Sequence, residues 1–196
     1  MHKRHNPQFK RDMIIIQPGE LYATGKDEVI ATVLGSCISV CLRDEHARIG
    51  GMNHFMLPGD FRVEDIFNSQ NARYGMYAME LLLGEMIKLG AGRQHLKAKI
   101  FGGGHVLASV ADSQQSVPQS NIDFVKAFLS MEGIPVLGAD IGGIHGRKVM
   151  FMPATGKAFV KKLVPDAEKK VVAIEARLSR DIQKSKQQVG NEVTLF

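Results

Sequence analysis

The 196-residue chain has no tryptophan and only two cysteines. Two cysteines exclude a disulfide framework and leave each thiol to be explained singly. No uninterrupted apolar run approaches the ~18–20 residues of a membrane span, so no membrane insertion is expected. The basic start, Met1-His2-Lys3-Arg4-His5, leads into no apolar core of the kind a signal peptide carries. A strong excess of one charge is also lacking. The chain has 25 Lys and Arg against 20 Asp and Glu, a net charge of +5, with no interleaved aromatic pattern. Nucleic-acid binding is therefore not expected. Internal repeats and low-complexity blocks are missing too. These absences describe a cytoplasmic protein of a reducing compartment.

What is present suits one domain with appendages. At a soft prior of roughly 150 residues per domain, the length allows little more. Hydrophobic residues make up 44%, and a chain of this size buries about 70% of its unfolded surface, enough to stand without disulfide or metal. Residues 1–12 are polar and basic and read as a flexible lead-in. Met13–Ile16, Val29–Leu34 and Ile38–Leu42 are β-branched runs, the last two separated by Gly35-Ser36-Cys37. A turn near Arg43-Asp44-Glu45 leads into a strand over 48–57. Residues 71–89 place Met76, Met79, Leu82, Leu83, Met86 and Ile87 at steps of three and four, one apolar stripe of a helix. Such a Met-rich face packs as core by default and also suits partner helices. Leu96–Phe101 alternates with lysines as a half-buried strand does, and a second helix runs from Pro118 to Gly133. Ile134–Leu137, Lys148–Phe151 and Ala158–Leu163 are further strands. Residues 164–196 turn polar, a C-terminal extension with a helix over 174–186. Strands come first and helices are scattered among later ones, so the order predicts an α+β fold, not a doubly wound sheet.

Cys37 follows a Gly-Ser bend between two apolar strands. A thiol there is presented at a turn, and main-chain N–H groups at the bend could hold an oxyanion because glycine lets a substrate approach the backbone. A cysteine nucleophile needs a base, usually histidine. His54 lies on the next strand, where a hairpin brings it beside Cys37. The bland alternative stays open at this point: Cys37 as a small buried hydrophobe and His54 as a satisfied core histidine. Cys37 and Cys41 do not form a shared metal site on a strand, where positions i and i+4 stand about 13 Å apart at ~3.3 Å per residue. Phe101-Gly102-Gly103-Gly104-His105 lacks both GxGxxG spacing and a GK[ST] ending. It reads as a strand exit that lets the backbone pass close to a neighbour. No metal and no organic cofactor is implied.

At Thr32-Val33-Leu34-Gly35-Ser36-Cys37-Ile38-Ser39-Val40-Cys41-Leu42-Arg43-Asp44 and Gly51-Met52-Asn53-His54-Phe55-Met56-Leu57-Pro58 the chain resembles the CheD family of chemoreceptor glutamine deamidases. The resemblance extends to Ala98–Gly104, Gly138–Gly143 and Gly146–Val149, so a CheD-like domain over 13–163 is expected. It implies a layered sandwich of mixed β-sheets with flanking helices, similar to the cytotoxic necrotizing factor-type deamidase fold. It also implies conversion of receptor glutamines to glutamates by a cysteine hydrolase, some members being credited with methyl-ester hydrolysis too. The catalytic Cys and His fall on Cys37 and His54. The third residue is a Thr that stands six before the Cys in some relatives. Here that position is Ala31, and Thr32 stands five before, so Thr32, Ser36 or a main-chain carbonyl is left to orient His54. The expected partners are chemoreceptor cytoplasmic domains and a CheC-type phosphatase. A regulatory binding module for that phosphatase is the alternative to catalysis, and a redox-sensing thiol protein is a third reading.

Overall fold

The computed structural model of the chain describes residues 1–57, 59, 61–66, 69–106 and 116–190. Pro58 of the second motif and residues 191–196 lie outside the described residues.

The elements, in chain order, are β1 (His2–Asn6), β2 (Arg11–Ile15), β3 (Leu21–Thr24), β4 (Val29–Leu34), β5 (Ile38–Asp44), β6 (Ile49–Asn53), α1 (Gln70–Lys88), β7 (Leu96–Gly102), α2 (Val117–Met131), β8 (Val136–Ile141), β9 (Arg147–Met152), β10 (Lys157–Lys162) and α3 (Pro165–Gly190). The strands form two five-stranded sheets, in the orders β1-β2-β4-β9-β10 and β3-β6-β5-β7-β8. Each is mixed: β2 runs parallel to β4 in the first, and β7 runs parallel to β8 in the second. The architecture is α+β, with two packed sheets and helices outside them.

Alternation along β5 explains the layering. Ile38, Val40 and Leu42 face α1 and α2, packing with Met79, Leu82, Leu83, Phe124, Val125 and Phe128. Cys37 and Cys41 fall on the other face, against Ile14, Ile16, Ile30, Leu34, Val149 and Phe151 of the first sheet. A strand buried on both faces reads as a continuous apolar run, which is the Ile38–Leu42 pattern. The 3.6-residue stripe of α1 buries Met79, Leu82, Leu83 and Met86, but Ile87, in the last turn, is exposed; Ser69 is the N-cap, accepting from the N–H groups of Asn71 and Ala72.

Several segments differ from the sequence reading, among them the strand read at 134–137, which is Val136–Ile141. The basic lead-in is ordered as β1, paired antiparallel with β2 from His2↔Ile15 to Asn6↔Arg11. Its residues are exposed because an edge strand is held by ladder hydrogen bonds and needs no apolar side chain. The C-terminal helix is longer than 174–186, starting at Pro165 with Asp166 and Glu168 in its first turn, where the helix dipole favours acids.

Candidate active site

β5 and β6 form a hairpin whose register pairs Cys41 with Met52 and Asp44 with Ile49. Past the end of β6 the same register persists in an isolated bridge between Ile38 and Phe55, with reciprocal N–H···O bonds of 2.9 and 3.0 Å. Cys37 and His54 are therefore diagonal neighbours on one face of the hairpin, within reach of each other. His54 is 1% exposed and Cys37 not at all. Cys37 Sγ, an imidazole nitrogen of His54 and a carboxylate oxygen of Glu175 all lie within 4.8 Å of one another.

Thr32 sets the tautomer of His54. Its Oγ1 lies 2.8 Å from the Ile16 carbonyl and 2.7 Å from His54 Nδ1. A carbonyl can only accept, so the single hydroxyl proton goes to Ile16, and Nδ1–H must donate to Thr32 Oγ1. The lone pair is then on Nε2, which is buried with no hydrogen-bond partner among the described residues. Thr32 points inward with Ile30 and Leu34, whereas Ala31 packs on the sheet's other face with Met13, Val29 and Met152. Period-2 alternation thus gives the inward position to residue 32, without a bulge. Ser36, the alternative orienter, donates its hydroxyl to Glu175 Oε2 at 2.7 Å.

The bend at 35–37 turns three main-chain N–H groups to one point. Gly35 N–H donates to Glu175 Oε1 at 2.8 Å, Ser36 N–H to Oε2 at 2.7 Å, and Cys37 N–H to Oε1 at 3.2 Å. Three converging amides form an anion cradle. A Cβ on Gly35 would stand 2.7 Å from Glu175 Oε2, so glycine there admits the anion to the backbone. The bend is braced from two sides. Gly103 N–H and Gly104 N–H donate to the carbonyls of Cys37 and Gly35 at 2.7 and 2.8 Å. Asn121 of α2 donates to Ser36 O at 2.9 Å and accepts from Leu57 N–H at 2.7 Å.

Burial pushes the Cys37 thiol well above its ordinary range, and the negative charge of Glu175 adds to that rise. Burial lowers His54 from 6.5 to about 4, against the opposing pull of Glu175. Burial thus favours the neutral form of both groups. Cys41 is also buried and raised by desolvation, but it has no such imidazole or cradle. The Cys37–His54–Glu175 trio has the donor types of a metal site. Yet both Glu175 oxygens are turned to N–H donors, as an anion in a cradle is.

Glu175 and Asn121 escaped sequence reading, although each left a trace. Asn121 is a polar residue on the buried face of α2 beside Ile122, Phe124 and Val125, and Glu175 interrupts an apolar spacing between Val171 and Leu178.

A buried thiol, an oriented imidazole and an amide cradle are together the equipment of a cysteine amidohydrolase. The chain belongs to the CheD family, whose model, described as chemotactic sensory transduction, matches residues 56–162. It is similar to proteins named probable chemoreceptor glutamine deamidase CheD. The one from Herminiimonas arsenicoxydans is 45% identical over 188 residues, 96% of this chain and 91% of that protein. The one from Janthinobacterium sp. (strain Marseille) is 50% identical over 155 residues, 79% of this chain and 75% of that protein. Among solved structures, a Neisseria meningitidis protein of family DUF152 matches at 12% identity and a TM-score of 0.37, covering 63% of this chain and 51% of that one. That likeness is too distant to carry an argument.

Proposed function

We propose that this chain hydrolyses the carboxamides of glutamine side chains on chemoreceptor cytoplasmic helices, with Cys37 as nucleophile, His54 as acid and base and Thr32 as its orienter. The carrying observation is that Cys37 Sγ, an imidazole nitrogen of His54 and the Glu175 carboxylate, itself gathered by the N–H groups of residues 35–37, lie within 4.8 Å of one another, while Nδ1 of His54 is held by Thr32. The names of the relatives supply the substrate class.

Nε2 takes the thiol proton as Sγ adds to the glutamine Cδ. The carbonyl oxygen becomes an oxyanion accepting from the N–H groups of Gly35, Ser36 and Cys37. The imidazolium passes its proton to the leaving nitrogen, and ammonia departs from a thioester. Water then enters; Nε2 takes one of its protons while its oxygen attacks the thioester carbon. Collapse releases the glutamic acid side chain, the thiolate recovers a proton from the imidazolium, and the acid ionises to glutamate by giving its proton to the released ammonia. Every proton that moves while the covalent bonds form and break passes through Nε2, which is why the tautomer fixed by Thr32 matters.

Such a reaction belongs in the cytoplasm, where those receptor helices lie; among the described residues no helix is long and apolar enough to cross a membrane. Kinship of the sandwich to the necrotizing factor-type deamidases and association with a CheC-type phosphatase rest on the motif resemblance. Co-elution with such a phosphatase tests the latter. The test of catalysis is incubation with a receptor cytoplasmic fragment. Converted glutamines become about 1 Da heavier as ammonia is released, and Cys37→Ala stops both. A folded Cys37→Ala that kept wild-type turnover would sink the mechanism.

A further inference from the structure

Cys37 is fully buried, and Glu175 of α3 reaches it, with a carboxylate oxygen within 4.8 Å of Sγ. Glu175 spends its carboxylate on the N–H groups of Gly35, Ser36 and Cys37 and on the Ser36 hydroxyl, the donors a reacting oxyanion needs. No substrate carboxamide can reach Sγ while that carboxylate is in place.

The helix is otherwise lightly held. Its buried side chains among those described are Val171 and Glu175, with Leu178 half-buried against the inter-sheet core. Cavities flank Glu175 on both sides. One of about 360 Å³ lies between Met56, His105, Val117, Pro118 and Val172. Another of about 270 Å³ lies between Ile15, Pro18, Val33, Val171 and Ile174. An interface with such gaps forgoes the dispersion contacts of a close-packed core. At its start α3 is tethered by Glu168, which accepts from Gly146 N–H at 2.9 Å. The helix can therefore leave the site without leaving the protein.

We propose that α3 is a tethered product mimic lying in the groove where the substrate helix docks, with Glu175 standing where the newly made glutamate stands. This rests on the deamidase reading. It deepens that reading by naming what the groove takes: an amphipathic helix whose glutamine has aliphatic residues four before and three after it, as Val171 and Leu178 flank Glu175, and a small residue next to it, as Ala176 is. The resting enzyme is closed. A receptor helix gains entry by displacing α3, at a cost that a tight natural substrate meets and a loose one does not. The neutral Cys37 and His54 belong to this closed state, since the carboxylate opposes a thiolate and its helix excludes water.

Two substitutions in the full-length chain test it. Glu175→Ala removes the anchoring carboxylate, and Cys37 should then react with iodoacetamide on the order of tenfold faster than in wild type. Cys41, buried elsewhere, serves as the internal reference. Unchanged alkylation of Cys37 overturns the covering role whatever the enzyme does to receptors. Glu175→Gln places a carboxamide in the cradle. With one water it should turn into a carboxylate and ammonium, a Gln-to-Glu mass gain at position 175 that vanishes when Cys37→Ala is added. A Glu175→Gln preparation that converts receptor glutamines but never its own position overturns the product-mimic placement. Failure to convert either, together with faster alkylation of Glu175→Ala, sinks the deamidase reading and supports the covering helix. Melting curves confirm that both variants stay folded.

Discussion

One hydroxyl proton decides how His54 is used. Because the Thr32 proton is spent on the Ile16 carbonyl, Nδ1 carries the imidazole proton and Nε2 keeps the lone pair that the proposed mechanism uses. Thr32→Val keeps the shape and removes the acceptor. Turnover should fall roughly 10²-fold with KM little changed, in an assay of receptor glutamine conversion. Cys41→Ala should keep its turnover. A folded Cys41→Ala without activity would mean that the wrong thiol had been assigned. Chelation by EDTA should leave turnover intact, because the Glu175 carboxylate is bound by N–H groups; loss on chelation and recovery with zinc would make the trio a metal centre instead. The pH dependence of stability carries the same signature. His54 is held at about 4, below its ordinary 6.5, so its neutral form stabilises the fold fully above pH 6.5. That contribution is lost as pH falls through this window toward 4. The melting temperature should drop across it, and His54→Ala should flatten the drop.

At the scale of elements, the bend at 35–37 is a product of its neighbours. The exit of β7 passes so close that a Cβ on Gly102 would stand 2.2 Å from the Cys37 carbonyl, and Gly102 has φ +115°. Gly102→Ala should cost about 2–4 kcal/mol in denaturant unfolding, from strain and overlap together. Asn121→Ala leaves Leu57 N–H and Ser36 O without their partner. It should cost about 1–3 kcal/mol and lower turnover by loosening the cradle. Most of these elements are legible in the sequence. The β-branched runs flanking residues 35–37, the stripe of α1 and the alternation of β7 each follow from a period that one or two buried faces impose. The strand over 48–57 was less so: β6 ends at Asn53 and only Phe55 still pairs. Apolar residues continue past the ladder because Phe55 and Leu57 bury against the helices.

For the whole molecule, the two-sheet core and α3 should separate in hydrogen exchange. Amides of 165–185 should exchange well before those of β4, β5 and β7, because opening α3 exposes few apolar side chains. Deleting 164–196 should leave a cooperative melt and the β-rich circular dichroism of the core. A deletion variant without a folding transition would show instead that α3 completes the core.

The sequence by itself indicated most of the strands and the helix stripe, because these depend on side-chain periods, and its motifs, by resemblance, pointed to Cys37 and His54. It left the third residue open between Thr32, Ser36 and a carbonyl. That choice needed the parallel pairing of β2 with β4, which brings the Ile16 carbonyl to Thr32 and turns Ala31 away. Tertiary structure alone decided that Asn121 braces the bend and that Glu175 fills the cradle, 138 residues after the cysteine it covers. Local propensity shapes each segment, but contacts this far apart in the chain are set by how the closed sandwich brings its ends together.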